Sequence, residues 1–118
     1  MIAVSAPEMD ASKTALLRVS VIVPTRNRPA HAAACIRSIL AIDGFVELIV
    51  VDQSDDRATA DAVSAIDDRR LRYVRTGTRG VSHARNLGME LSSGEIVAFT
   101  DDDCRVKADW IERLGRCE

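Results

Sequence analysis

An α/β protein is predicted, with a parallel sheet carrying helices on both faces, and three observations predict it. Short apolar runs rich in β-branched residues alternate with segments whose apolar residues recur at helical spacing. Each of three such runs ends in a polar cluster: Pro24-Thr25-Arg26-Asn27, Asp52-Gln53-Ser54-Asp55 and Asp101-Asp102-Asp103. The first strand-to-helix turn holds neither G-x-G-x-x-G nor a Walker A lysine, so a ligand there must be held by side chains rather than by a glycine cradle. In open parallel sheets ligands bind outside the carboxyl ends of the strands, where the strand order reverses. Three polar clusters at strand ends therefore converge on one rim.

The elements follow in order. Residues 1–17 mix Ser, Ala, Pro, Glu and Asp without period and read as a loose leader, with the domain running from 18 to 118. Val19 to Val23 is a β-branched run that Pro24 is expected to stop. From Pro29 to Ala41, residues Ala33, Ile36, Ile39 and Leu40 share one helical face, and Pro29 suits the first helical position. Asp43-Gly44 breaks the chain before Glu47 to Val51, a second buried strand ending at Asp52. A helix near Ala58 to Ile66, a short strand from Leu71 to Val74 and a flexible loop from Gly77 to Gly80 come next. Val81 to Leu91 reads as a third helix, Glu95 to Thr100 as a fourth strand, and Ala108 to Leu114 as a last helical start.

Composition narrows the function. The 118 residues suffice for one domain, and 47% hydrophobic with 29% charged residues fits a globular chain. A net charge of −2, with no basic cluster interleaved with aromatics, argues against nucleic acid as a partner. No apolar stretch approaches the roughly 18–20 residues of a transmembrane helix, and the first residues lack a signal peptide's basic start and apolar core. Cys35, Cys104 and Cys117 show no CxxC spacing and read as reduced thiols. The expected setting is the cytoplasm, with peripheral contact at the inner face of a membrane compatible with it. Cys104 reads as an incidental small residue rather than a nucleophile, and the arginines at 69, 70, 72 and 75 as solvent-facing. His31 reads as a solvated helix residue and Trp110 as a packing anchor for the last helix.

The chemistry concentrates in Asp101-Asp102-Asp103. Three adjacent carboxylates repel one another unless something offsets the repulsion. A hard divalent cation such as Mg²⁺ or Mn²⁺ does so through oxygen ligands, often shared with phosphates. A solvated acidic turn or helix cap is the plainer reading of the same residues.

Four blocks taken together resemble the family 2 glycosyltransferases of the GT-A fold. They are Val19 to Asn27, Glu47 to Ser54, Gly80 to Gly88 and Gly94 to Asp103, in the order and spacing of that family. The resemblance covers residue 19 to about 114 and implies a Rossmann-like GT-A sheet binding a nucleotide sugar. It places Pro24, Thr25 and Arg26 at the nucleoside, Asp52 and Gln53 at the base, and Arg85 and Asn86 at the diphosphate and sugar. Surface ion pairing is the plainer role for Arg85, and a hydrogen-bonding or spacer role for His83. Asp101 fits both the donor site and the metal site, and Asp101, Asp102 and Asp103 match the family's DXD metal motif. The family often carries two acids where this chain has Asp-Gln, which leaves the base open, with a UDP-sugar the leading donor.

Glycosyl transfer also needs a general base near the acceptor hydroxyl. In the resembled family that base follows the DXD strand, so the sequence is expected to hold the donor half of a domain truncated after that strand. The acceptor is not legible. Activity is then expected only with a completing segment or partner; the alternative is a non-catalytic remnant that binds nucleotide and metal. A nucleotidyltransferase would need a glycine-rich basic loop after the first strand, which is missing. Truncation is also expected to leave the fourth strand as an exposed edge prone to association.

Overall fold

The computed structural model describes residues 2–5, 18–107 and 109–111, with residues 2–5 as backbone. The elements are β1 (Ile2–Ser5), β2 (Val19–Thr25), α1 (Pro29–Leu40), β3 (Glu47–Asp52), α2 (Ala58–Ser64), β4 (Leu71–Arg75), α3 (Val81–Leu91) and β5 (Ile96–Thr100). They form one sheet of order β1-β5-β2-β3-β4. Strands β5, β2, β3 and β4 are parallel, and β1 joins antiparallel to β5. The central strands are mostly apolar because both faces are covered: β3 and β5 are buried at every position, with polar residues at their ends.

Two apolar layers result. One packs Cys35, Ile36 and Ile39 of α1 and Val63 of α2 against Val21, Val23, Leu48, Val50 and Ala98. The other packs Ala84 of α3, with Leu87 and Leu91, against Ile22, Ile49, Val51, Val97 and Phe99. Alternation along each strand divides these side chains between the faces. Helix α3 lies close on the sheet because Gly88 has no side chain there: a Cβ would stand 2.5 Å from Ile22 Cγ2. Trp110 is buried in the first layer, as an anchor should be. Trp110 and Ile111 have helical backbone; Ala108 and residues 112–114 of the expected last helix lie outside the described residues.

Three expectations need correction. Residues 2–5 are not a loose leader but a strand, whose register pairs Ile2 with Thr100 and Ser5 with Val97. Consequently β5 is not an exposed edge: β1 takes its free hydrogen-bonding side, and the sheet edges are β1 and β4. Pro24 does not stop β2, which pairs on through Pro24 and Thr25 with Val51 and Asp52. The ladder to β5 ends at Ile22, so no partner on that side needs a donor from Pro24.

The chain runs outward from β2 to β3 and β4, then returns to set β5 on the other side of β2. The strand order therefore reverses between β2 and β5, and a crevice is expected at their carboxyl ends.

Candidate nucleotide and metal site

A cleft of about 500 Å³ opens there, lined by Pro24, Thr25, Arg26, Arg28, Gln53, Gly80, Val81 and the three acids 101–103. The loop after β2 is held in shape by Asn27, whose φ of 56° lies in the left-handed region that Asn tolerates. Its backbone N–H donates to Ser54 Oγ, and its amide Nδ2 and Oδ1 pair with the Asp55 carboxylate and N–H. Arg26 completes this loop-to-loop tie with a forked contact to Asp55 at 3.1 and 3.0 Å. Arg79 joins from the other side at 3.0 Å. The Asn27 hydrogen bond, then Arg26 and Arg79, hold the Asp55 carboxyl below its usual range.

The three acids have different surroundings. Asp102 is buried, accepts from Thr25 Oγ1 at 2.8 Å and pairs with Arg28 at 3.0 Å. It ties the acidic turn to the end of β2 and does not join the candidate ligand group. Asp101 and Asp103 do, together with Cys104: one ligand atom from each lies within 4.8 Å of the others. Two carboxylates and a thiol at that spacing suit a divalent cation. Arg85 approaches Asp101 Oδ1 at 3.9 Å and sits over the Phe99 ring at 5.6 Å from its centroid. It therefore faces the acidic turn, and the ion pair it forms there is partly exposed. Below the turn, Cys35 Sγ donates to the Asp101 carbonyl, and burial, reinforced by the nearby Cys104, pushes its thiol up to about 12.

Placement of the remaining candidates is mixed. Gln53 lines the cleft, but Asp52 does not: it is fully buried, accepting from the Tyr73 hydroxyl and from Ser54 N–H. Its side chain is spent inside the protein and does not face a base. Burial, then the Asp52 carboxylate, raises the Tyr73 hydroxyl above its usual value. Asn86 is exposed on α3 and outside the cleft lining. Sequence reading passed over Arg28 and set Cys104 aside as an incidental small residue. Arg28 directly follows the polar cluster after β2, and Cys104 directly follows the triplet, so adjacency was the available signal.

Comparison with known proteins agrees with this geometry. The family model described as glycosyl transferase family 2 matches residues 20–115. A glucosyl-dolichyl phosphate glucuronosyltransferase of Haloferax volcanii is 34% identical over 104 residues, covering 83% of this chain and 33% of that protein. Succinoglycan biosynthesis protein ExoO of Rhizobium meliloti is 35% identical over 98 residues, covering 81% of this chain and 28% of its own length. Among solved structures, mannosyltransferase PcManGT from Pyrobaculum calidifontis, in complex with GDP-Man and Mn²⁺, superposes with a TM-score of 0.71 at 32% identity. The match covers 84% of this chain and 30% of that one. Glucosyl-3-phosphoglycerate synthase from Mycobacterium tuberculosis, with Mn²⁺, UDP and phosphoglyceric acid, has a TM-score of 0.56 at 26% identity, over 83% and 38% of the two chains. The chain thus spans a third or less of the curated relatives named here. With a GT-A sheet, a cleft at its switch point and a matching family model, the chain belongs to glycosyl transferase family 2.

Proposed function

We propose that residues 18–118 form the donor-binding portion of a family 2 glycosyltransferase, which takes a nucleoside diphosphate sugar together with a divalent cation. The observation that carries this is the convergence of Asp101, Asp103 and Cys104 donor atoms within 4.8 Å at the mouth of the switch-point cleft. Asp101 and Asp103 would hold the cation, and the thiol beside them favours Mn²⁺ over the harder Mg²⁺. The cation, when bound, neutralises charge on the departing diphosphate. Arg85 faces the same turn and offers a guanidinium to phosphate oxygens. The amino end of α3 lines the cleft at Gly80 and Val81 and adds the favourable end of its dipole.

Pro24, Thr25 and Gln53 would enclose the nucleoside. Solved relatives hold UDP with Mn²⁺ and GDP-Man with Mn²⁺, which supports a uridine or guanosine donor. Uracil and guanine share a ring N–H on the pairing edge. The cleft's carboxylates are Asp101, Asp102 and Asp103 among the described residues. Asp102 is already engaged and the other two serve the cation, so these residues account for donor binding, and activation of the acceptor falls to others. No helix among the described residues is long and apolar enough to cross a membrane. With a buried free thiol at Cys35, this supports a cytoplasmic donor site.

Calorimetric titration of UDP and of GDP, first with Mn²⁺ and then with EDTA, tests the reading. Binding that EDTA abolishes is the expected result. Absence of binding of either nucleotide to a chain folded by circular dichroism would overturn it.

A further inference from the structure

Arg28 stands where helix chemistry would not put it. It is the residue before the first turn of α1, a position that favours Ser, Thr, Asp or Asn, and its side chain makes no capping hydrogen bond there. A cation at that end also opposes the helix dipole. Only its backbone serves the helix, its carbonyl accepting from Ala32 N–H at 2.9 Å. The guanidinium instead reaches the acidic turn, where Nη1 donates to Asp102 Oδ1 at 3.0 Å. A residue that breaks a local rule in this way answers a demand made elsewhere.

On the cation reading above, on which this rests, that demand lies in the turn. The Asp101 carbonyl accepts from Cys104 N–H at 3.1 Å, which closes the turn, and from the Cys35 thiol at 3.5 Å. The middle side chain is fixed as well. Thr25 Oγ1 donates to Asp102 Oδ2 at 2.8 Å while Arg28 takes Oδ1, so each oxygen has its own donor and the carboxylate plane is set. Asp102 is thereby drawn inward and buried. One oxygen from each of its neighbours, Asp101 and Asp103, then gathers within 4.8 Å of the other and of the Cys104 sulfur. Arg28 also offsets one of three adjacent negative charges and leaves a pair, which matches a divalent cation.

We propose that Arg28 is a positioning residue for the cation: by holding Asp102 out of the ligand group, it sets Asp101 and Asp103 in the arrangement that binds. Partners one step removed from a metal typically govern its affinity by about 10–100-fold.

Removing Arg28 has two effects of opposite sign, and the sign is the test. Charge alone predicts that Arg28→Met, which leaves a third carboxylate without its counter-charge, binds Mn²⁺ more tightly. Loss of position predicts weaker binding. Electron paramagnetic resonance of Mn²⁺ at saturating UDP, on variants shown by circular dichroism to be folded, decides between them. Affinity is expected to fall at least about tenfold in Arg28→Met. Arg28→Lys is expected to restore most of it, because the single Nη1 contact is one that an ammonium can make. Asp102→Asn, which keeps the shape and an acceptor oxygen, is expected to cost much less than Asp101→Asn. Unchanged or tighter binding in Arg28→Met, or Arg28→Lys as weak as Arg28→Met, overturns the inference while the cation reading stands. So does an Asp102→Asn loss equal to that of Asp101→Asn, which would make Asp102 a ligand and which decides the matter if Arg28→Met does not fold. No Mn²⁺ binding by the folded native protein overturns both.

Discussion

The two ends of the sheet both concentrate carboxylates, and they use them in opposite ways. At the amino end, Glu47 is nearly buried and satisfied from every side. Ser20 Oγ donates at 2.6 Å, Ser93 N–H and Oγ at 2.6 and 2.9 Å, and Arg72 at 3.1 Å. Arg72 also reaches the Leu91 carbonyl, so one guanidinium binds β3 to the end of α3. At the carboxyl end, Asp102 is satisfied in the same manner by Thr25 and Arg28. Its neighbours Asp101 and Asp103 each bring a carboxylate oxygen to the Cys104 thiol at the mouth of the cleft, with Arg85 3.9 Å from Asp101. A buried acid whose lone pairs are filled by protein donors is architecture, whereas acids crowded at a cleft are a place for a cation.

The contrast is open to a double dissociation. Asp101→Asn with Asp103→Asn should lower Mn²⁺-supported nucleotide affinity by at least 10–100-fold, the range lost when a metal's outer partners alone are removed. Thermal stability should hold or rise, because like charges are relieved; a large drop in melting temperature would mean that these acids are structural after all. Glu47→Gln should do the reverse. Replacing a nearly buried carboxylate that accepts from three residues should cost about 1–3 kcal/mol in denaturant unfolding, with Mn²⁺ affinity unchanged.

The amino-end network also predicts a pH response. Burial pushes Glu47 up, but the hydrogen bonds from Ser20, Ser93 and Arg72 outweigh it, so its carboxyl sits below the usual range in the folded protein. Its contribution is therefore complete above the unfolded value of about 4.3 and is lost as pH falls through the lower folded value. Unfolding curves of the native protein and Glu47→Gln should differ at pH 7 and converge below about pH 4. A constant gap across that window would remove Glu47 from the account. The smallest effect expected is that of Arg85→Gln, about fivefold weaker UDP binding with stability nearly unchanged, from loss of one charge-assisted contact.

Much of this organisation was legible in the sequence. The alternation of β-branched runs and helical spacing gave four parallel strands, and polar clusters at their ends gave the rim. What escaped depended on contacts distant in the chain. Ile2–Ser5 is four residues long and pairs with a strand more than ninety residues away, so no local period announces it. Asp52 and Gln53 look alike as polar residues after a strand. Which of them faces the cleft is decided by Tyr73 on β4, whose hydroxyl engages Asp52. Arg70 and Arg72 read as solvent-facing, and Arg72 is exposed while its fork also pairs with Glu47. Arg70 departs from the expectation: it is half-buried, binds the Leu40 and Ile42 carbonyls and lies over the Phe45 ring. Arginine stems lie along apolar surface while their forks reach carbonyls, a role that charge counting hides.

The most direct test of the central claim is Mn²⁺ titration by electron paramagnetic resonance, with UDP present, in the native protein, Glu47→Gln and the Asp101→Asn, Asp103→Asn double variant. The account predicts nucleotide-assisted Mn²⁺ binding in the first two and its loss in the third. Equal Mn²⁺ binding by the double variant, or loss in Glu47→Gln alone, would contradict it.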